Sequence, residues 1–219
     1  MTEPVRLAAR EVTFADRRGE PIVQDWSADF PAGTVTALTG PSGSGKSTLL
    51  YLLGLMVRPN AGTVLLDGGR VDQLVDADRA WLRAHRYGFV FQDAALDPTR
   101  TVLDNVVETA LYRRQPRTEA VRTAHELLAR FGVELRAGHR PGQISGGQAQ
   151  RIALCRALLA SPPVLLADEP TGNLDPRTSQ AVIDALQQQA GTGATVVIAT
   201  HDPAVVDACD RHLTLRAEP

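Results

Sequence analysis

The chain has 219 residues, 43% of them hydrophobic, which is enough for one domain with a sizeable core. Its formal net charge of −2 argues against a nucleic-acid binder with a basic surface throughout. Its longest apolar run, 49–57, is shorter than the roughly 20 residues that span a bilayer. Residues 1–10 lack the apolar core of a signal peptide, and two cysteines far apart in the sequence favour the reduced thiols of a cytosolic protein over a disulfide or metal site.

The N-terminal part of the chain contains several strand patterns. Residues up to 33 alternate apolar and polar side chains around a Gly19-Glu20-Pro21 turn, which predicts antiparallel strands. Residues 47–57 predict a buried helix directly after a glycine-rich loop. Further strands are expected at 34–39, 63–66 and 88–91.

The later part of the chain begins with a helical block. From 102 to 159, apolar residues recur at helical spacing. Continuous apolar runs at 164–167 and 194–200 then flank a predicted helix at 179–189, an order typical of a parallel sheet covered on both faces. A short helix and a strand at 212–215 are expected to follow. The helical block is therefore expected to be inserted into an α/β domain rather than appended to it.

The glycine-rich loop carries the first chemical motif. Its sequence, Gly40-Pro41-Ser42-Gly43-Ser44-Gly45-Lys46-Ser47, fits the phosphate-binding pattern G-x-x-x-x-G-K-[ST], and Lys46 is the only lysine of the chain. Glycines let backbone N–H groups converge on phosphate oxygens, and the following helix adds its positive N-terminus. We expect Lys46 to reach the β and γ phosphates and the Ser47 hydroxyl to coordinate Mg²⁺. The loop therefore predicts binding of a nucleoside triphosphate.

Two carboxylates follow an apolar strand at Asp168-Glu169. An aspartate at a strand end can hold Mg²⁺, and a glutamate directly after it can polarise the water that attacks the γ phosphate. A solvated acidic turn is the alternative for this pair alone. Its combination with the glycine loop favours the catalytic role.

A second candidate for phosphate binding opens the helix that runs to residue 159. In Ser145-Gly146-Gly147-Gln148, Ser145 is a natural N-cap, and the two glycines allow a phosphate to approach the backbone closely. By itself the segment is also compatible with a capped helix that has a flexible entry.

Together with Asp168-Glu169-Pro170-Thr171 and with His201 at a strand end, the Ser145–Gln148 segment makes the chain resemble the nucleotide-binding domain of an ABC transporter. The resemblance covers essentially the whole chain, with the motifs in family order. It implies an α/β fold: a P-loop NTPase core with a mainly parallel sheet, an N-terminal antiparallel β subdomain and an inserted helical subdomain. The single ATPase domain, 1–219, is expected to consist of a core, 1–92 and 160–219, and a helical subdomain, 93–159.

The resemblance also implies ATP as the nucleotide, Mg²⁺ as its metal ion, and a role for each matching residue. Catalysis is expected of Glu169, His201, Gln92 and Lys46. Mg²⁺ is expected to be held by Ser47, Gln92 and Asp168. Nucleotide binding is expected of Phe14, Gly40, Pro41, Ser42, Gly43, Ser44, Gly45, Lys46, Ser47, Thr48, Ser145, Gly146, Gly147, Gln148 and Asp175. Among them, Phe14 would stack on adenine. Asp175 is the last residue of the D-loop Asn173-Leu174-Asp175.

The run from Asp168 to Asp175 resembles the ABC subfamily that serves lipoprotein release, macrolide export, peptide-antibiotic resistance and cell division. In that subfamily two ATPase chains pair with permeases that have four transmembrane helices. This implies a homodimer around two ATP molecules, an integral membrane permease as partner, and a cytoplasmic location at the inner face of the cell membrane. The segment 93–100, where the permease is expected to dock, lacks the larger apolar residues that are usual there.

The alternative function is that of a soluble ABC-type ATPase acting on nucleic acid or ribosomes. Such a protein would be expected to have long coiled-coil heptads or two nucleotide domains in one chain, and neither is present in this sequence. With the acidic charge balance, this favours a membrane partner and no nucleic acid.

Overall fold

The computed structural model describes residues 4–15, 19–172 and 174–215. Its centre is a five-stranded parallel sheet in the order β6-β7-β8-β3-β9. The strands are β3 (Val35–Thr39), β6 (Tyr87–Val90), β7 (Val164–Asp168), β8 (Thr195–Ala199) and β9 (Arg211–Thr214). The α/β class and the parallel sheet predicted from the continuous apolar runs are confirmed.

An antiparallel sheet lies beside this core, as the alternating N-terminal pattern predicts. Its order is β2-β1-β4-β5. The strands are β1 (Val5–Ala15), β2 (Pro21–Pro31), β4 (Ala61–Leu66) and β5 (Gly69–Arg70). The pairing of β1 with β2 and β4 shifts register near Glu11, where the backbone has a positive φ of 49°.

Seven α-helices complete the described part of the chain. They are α1 (Lys46–Leu53), α2 (Asp76–Arg86), α3 (Val102–Tyr112), α4 (Arg117–Arg130), α5 (Gly146–Leu158), α6 (Pro176–Gly191) and α7 (Pro203–Asp207), with short 3₁₀ helices at Glu134–Arg136 and Pro141–Gln143. None of the helices within the described ranges is long and apolar enough to cross a membrane.

The parallel sheet is buried on both faces. Along β7, Leu165 and Ala167 belong to the apolar cluster formed with the helices α3 to α6, whereas Val164 and Leu166 belong to the cluster formed with α1 and the antiparallel sheet. Successive side chains of a strand point to opposite faces, so a strand covered on both sides has no polar alternation. This is why β7 reads as an unbroken apolar run.

Helix α1 is shorter than predicted. The apolar run suggested a helix over 47–57, but the helix ends at Leu53 with Gly54 as its C-cap. Leu55 follows with a positive φ of 60°, and the guanidinium groups of Arg79 and Arg83 donate to its carbonyl oxygen at 2.7 and 2.8 Å. Leu55 is nevertheless buried, so its hydrophobicity contributes to the core but not to a helix.

Helix α2 was not predicted from the sequence. It carries two acidic residues in its first turn and three basic residues in its last, and Arg79 is its only buried residue. Charges of this order along the helix favour it through its dipole, but its buried residue is an arginine and not an apolar side chain. The helix is fixed instead by Arg79 and Arg83, which bind the carbonyl groups that follow α1.

Gly88 should be essential to the packing of β6 against α5. A Cβ atom at this position would lie 2.5 Å from the carbonyl oxygen of Ala157 and 2.9 Å from Leu165 Cδ1. We expect Gly88→Ala to lower the free energy of unfolding by about 1–3 kcal/mol, measured by urea denaturation. Gly191→Ala is the matched control, because a Cβ there meets open space at a helix end; it should be neutral or slightly stabilising. Equal stability of the two variants would contradict this packing.

Candidate active site

The glycine-rich loop lies between β3 and α1 and lines an open cavity of about 740 Å³. Gly45 caps α1 with a φ of 86°, and a Cβ atom there would lie 2.7 Å from the carbonyl oxygen of Ile22. Only glycine fits this position without strain. The first turn of α1 carries no acidic residue, so its positive N-terminus faces the cavity uncompensated.

Two side chains of the loop are suited to a phosphate group. The Ser44 hydroxyl is buried and has no hydrogen-bond partner among the described residues. Lys46 Nζ donates to the carbonyl oxygens of Gly40 and Pro41 at 2.8 and 3.0 Å, which are neutral acceptors within its own loop. Because a cation binds an anion more strongly than a neutral carbonyl, a phosphate in the cavity would compete for this ammonium group.

Asp168 lies at the end of β7 and is buried beside the loop. Burial raises the pKa of its carboxyl group above the ordinary value, the neighbouring Glu169 raises it further, and the Ser47 hydroxyl and Lys46 lower it. A buried carboxylate with an acidic neighbour is stabilised by a cation. The position therefore suits a metal ion at the expected place.

The available ligands fit Mg²⁺. Ser47 donates a hydrogen bond to Asp168, and Gln92 lines the same cavity, so all three expected metal ligands offer oxygen atoms there. No group of three or more His, Cys, Asp or Glu residues that could hold a metal occurs in the described ranges.

Glu169 follows Asp168 but turns away from the line of β7, with a positive φ of 46°. Its Oε1 atom lies 2.7 Å from His201 Nδ1, and its Oε2 accepts a hydrogen bond from the Thr200 hydroxyl at 3.2 Å. An ionised carboxylate only accepts, so Nδ1 carries a proton in this pair. Glu169 and His201, which are 32 residues apart, thus meet at the cavity, and their catalytic roles remain predictions.

The loop that contains Gln92 is held by helix α5. The Gln150 side chain donates to the carbonyl oxygen of Phe91 at 3.2 Å. Arg156 donates to the carbonyl oxygens of Ala94 and Ala95 at 2.8 and 2.7 Å, and both alanines have positive φ angles. The sequence analysis did not identify Gln150 or Arg156, because their partners are backbone atoms about 60 residues away.

The Ser145–Gln148 segment lies outside the cavity of its own chain. Ser145 caps α5: its hydroxyl accepts from the Gln148 N–H, and the Gln148 side chain accepts from the Ser145 N–H at 2.9 Å. Ser145 and Gly146 are exposed, and a Cβ atom on Gly146 would meet open space. The segment is therefore a rigid, exposed helix N-terminus that is free to face another molecule.

Two further expected nucleotide contacts are also outside this cavity. Phe14 is partly buried and packs against the core of the antiparallel sheet, while Ile22 from β2 lines the cavity instead. Asp175 caps α6, and hydrogen bonds from Thr178 and Arg177 lower the pKa of its carboxyl group. Asn173 is outside the described residues. The roles expected for Phe14 and Asp175 remain predictions.

Comparison with known proteins identifies the family. The family model for the ABC transporter matches residues 23–172. The chain belongs to the ABC transporter family. It is 45% identical to the lipoprotein-releasing system ATP-binding protein LolD of Paramagnetospirillum magneticum, over 87% of this chain and 84% of that protein. The macrolide export ATP-binding/permease protein MacB 1/2 of Paracoccus denitrificans is 45% identical over 84% of this chain and 28% of its own length.

Solved ABC structures agree with the fold. A dimeric bacterial ABC transporter cassette, MJ0796, superposes with a TM-score of 0.92 at 34% identity, covering 96% of this chain and 94% of that one. The same cassette in a post-hydrolysis dimer bound to ADP and phosphate gives a TM-score of 0.91 at 33% identity, covering 97% of each chain. The chain is therefore an ABC ATPase, which binds ATP and hydrolyses it to ADP and phosphate.

Lys46 should be indispensable to this ABC ATPase. We expect Lys46→Ala to abolish tight ATP binding, because the β and γ phosphates lose their cationic partner. Lys46→Arg should fail as well, since the loop that holds a compact ammonium group does not accommodate a planar guanidinium. Binding of a fluorescent ATP analogue and steady-state phosphate release measure both effects, with thermal unfolding as the check that the variants fold. Near-normal turnover of Lys46→Arg would contradict this prediction.

Proposed function

We propose that the chain is the ATPase subunit of a membrane complex of the lipoprotein-release and macrolide-export type, in which two copies close around two ATP molecules and drive a permease. The observation that carries the proposal is the division of the phosphate-binding groups into two sets. One set surrounds the cavity, and the other, at the N-terminus of α5, is exposed outside it. The printed names of the LolD and MacB relatives support the class of complex.

Within the cavity, each residue would have a distinct task. The amides of the glycine loop and Lys46 would bind and orient the β and γ phosphates. Ser47, Asp168 and Gln92 would hold Mg²⁺, which when bound neutralises the charge that develops on the phosphate oxygens. Glu169 would orient the attacking water, and His201, which lines the same cavity, would contact the same phosphate group.

Glu169 would act as the general base. As the water oxygen forms its bond to the γ phosphorus, the water proton passes to a carboxylate oxygen of Glu169. The bond from that phosphorus to the bridging oxygen breaks, and its electron pair remains on ADP. The Glu169 side chain is 13% exposed and lines the open cavity, so its carboxylate can contact a water molecule there.

A two-fold axis would bring the second set of groups to the first. Each copy would then present its Ser145–Gln148 helix end to the nucleotide held by the other copy's Lys46, which closes both sites at the interface. The dimeric MJ0796 cassettes support this arrangement. It would also explain why Ser145 and Gly146 are exposed in the single chain.

The membrane partner would dock in a groove of about 410 Å³ that lies between α2, β6, α3 and α5. Alanines and aromatic residues line much of it, among them Ala95, Phe91 and the exposed Tyr112. Ala95 belongs to the loop of Gln92, so a helix of the permease in this groove would contact the segment that lines the ATP cavity. The protein would then lie at the inner face of the cell membrane, bound through a permease of the four-helix type.

The two-fold arrangement can be tested with two inactive variants. Lys46→Ala disables the cavity side, and Gly146→Asp places a negative charge on the exposed helix end, where a Cβ meets open space and an acidic residue favours the helix. Each variant alone should lack ATPase activity. Mixing them should restore activity, up to the fraction of mixed dimers, because a mixed dimer has one site with both lesions and one with neither.

If each ATP site lay wholly within one chain, no mixed dimer would contain an intact site. Activity of the mixture would then stay at the level of the single variants, and the two-fold arrangement would be wrong. Mixing either variant with itself at the same total concentration is the control.

The groove can be tested by the association of the chain with its permease, which is sought first among the products of the neighbouring genes. We expect Ala95→Glu and Tyr112→Asp to abolish co-purification with that permease and its transport activity, while ATP binding by the isolated chain is unchanged. Leu135→Asp is the matched control, because Leu135 is 91% exposed but lies outside the groove. Unchanged association and transport in both groove variants would place the docking surface elsewhere.

A further inference from the structure

We propose that Thr200 is a positioning residue for ATP hydrolysis: its buried hydroxyl anchors one oxygen of the Glu169 carboxylate and leaves the other, Oε1, to take the proton from water. The inference rests on the role proposed above for Glu169 as the general base. It assigns a task to a residue that the sequence motifs do not include.

The anchor results from the pairing of two parallel strands. Asp168 at the end of β7 is in register with Ala199 at the end of β8, so the next residues of both strands, Glu169 and Thr200, emerge side by side. The Glu169 N–H donates to the carbonyl oxygen of Ala199 at 2.9 Å, and the Thr200 N–H donates to Leu38 of β3 at 3.1 Å. The backbones of both residues are thereby fixed to the sheet.

The direction of the Thr200 hydroxyl is determined by its two partners. The Asp202 N–H donates to Thr200 Oγ1 at 3.0 Å, and Glu169 Oε2 lies 3.2 Å from the same oxygen. Because an ionised carboxylate can only accept, the hydroxyl proton must point at Oε2. A hydrogen bond to a charged acceptor is stronger than a neutral one, so this contact restrains the carboxylate group.

The two oxygens of Glu169 are held in different ways. Thr200 is completely buried, so its hydrogen bond to Oε2 is shielded from solvent. Oε1 is bound by His201, whose side chain is 78% exposed and free to rotate away. When His201 leaves, Oε1 becomes available to water while Oε2 stays in place.

The backbone of Glu169 is strained, and this strain sets the direction of its carboxylate. Its positive φ of 46° is unfavourable for a residue with a side chain, and it directs the carboxylate toward the end of β8. The Thr200 hydroxyl is the contact that receives it there. The strain and this hydrogen bond together hold the Glu169 carboxylate in one orientation before ATP binds.

The test compares Thr200→Val, which keeps the shape and removes the hydroxyl, with Thr200→Ser, which keeps the hydroxyl. In full-length protein, Thr200→Val should lower kcat for ATP hydrolysis by roughly tenfold to a hundredfold with little change in KM, while Thr200→Ser should stay within about threefold of the parent. Thr195→Val is the matched control. Thr195 is equally buried on β8, but its hydroxyl binds the Pro31 carbonyl, so its loss should affect stability and not kcat.

The decisive comparison is a double-mutant cycle with Glu169→Gln, which by itself should lower kcat by roughly 10²–10⁴-fold. If Thr200 acts through Glu169, adding Thr200→Val to Glu169→Gln should change the residual turnover by less than about twofold. ATP should still hold the double variant as a dimer in size exclusion, which shows that binding is intact. If Thr200→Val fails to fold, Thr200→Ala enters the same cycle.

The outcomes separate the two proposals. Three results would each overturn the role of Thr200. The first is a parent-like kcat in Thr200→Val, and the second is an equal loss of kcat in Thr200→Val and Thr200→Ser. The third is that Thr200→Val lowers kcat by the same factor with and without Glu169→Gln. Parent-like kcat in Glu169→Gln would instead overturn the proposed role of Glu169 as the base.

Discussion

The candidate active site depends on one constraint, the common carboxyl edge of three adjacent parallel strands. The chain leaves β3 into the glycine loop, β7 into Asp168 and Glu169, and β8 into Thr200 and His201. Parallel strands all end at the same edge, so groups that are more than 100 residues apart in the sequence reach one cavity. The sheet can hold them at fixed positions because its two faces are buried by separate apolar clusters.

This edge concentrates groups that are unfavourable in a protein without ligands. Burial and the charge of Glu169 raise the pKa of Asp168, Ser44 has a buried hydroxyl without a partner among the described residues, and Glu169 has a strained backbone. Each of these costs stability in the free protein, and under the proposed function a bound nucleotide with its metal ion would offset that cost. Part of the stability that the core provides thus offsets the cost of these groups, which suit a highly charged ligand.

The helical part of the molecule is connected to this edge chiefly through α5. One end of the helix carries the exposed Ser145–Gln148 segment, and its side chains Gln150 and Arg156 bind the backbone on both sides of Gln92. A shift of α5 would therefore move the loop of Gln92 and the lining of the proposed docking groove together. This coupling uses hydrogen bonds to backbone atoms, which a change of side chain elsewhere in the loop leaves intact.

The sequence by itself determined the fold class, the parallel strands, the glycine loop and the identity of the residues around it, because these depend on local spacing and on continuous apolar runs. Asp168 and Glu169 could be named from their position at a strand end together with the glycine loop, and His201 only with the resemblance to the ABC family. Tertiary structure decided the end of α1 and the existence of α2, since Gly54 and the arginines of α2 act through backbone contacts and not through apolar periodicity. It also decided the partners of Glu169. The contact with Thr200 depends on the register of β7 against β8, and a register between distant strands is set by packing that no local pattern records.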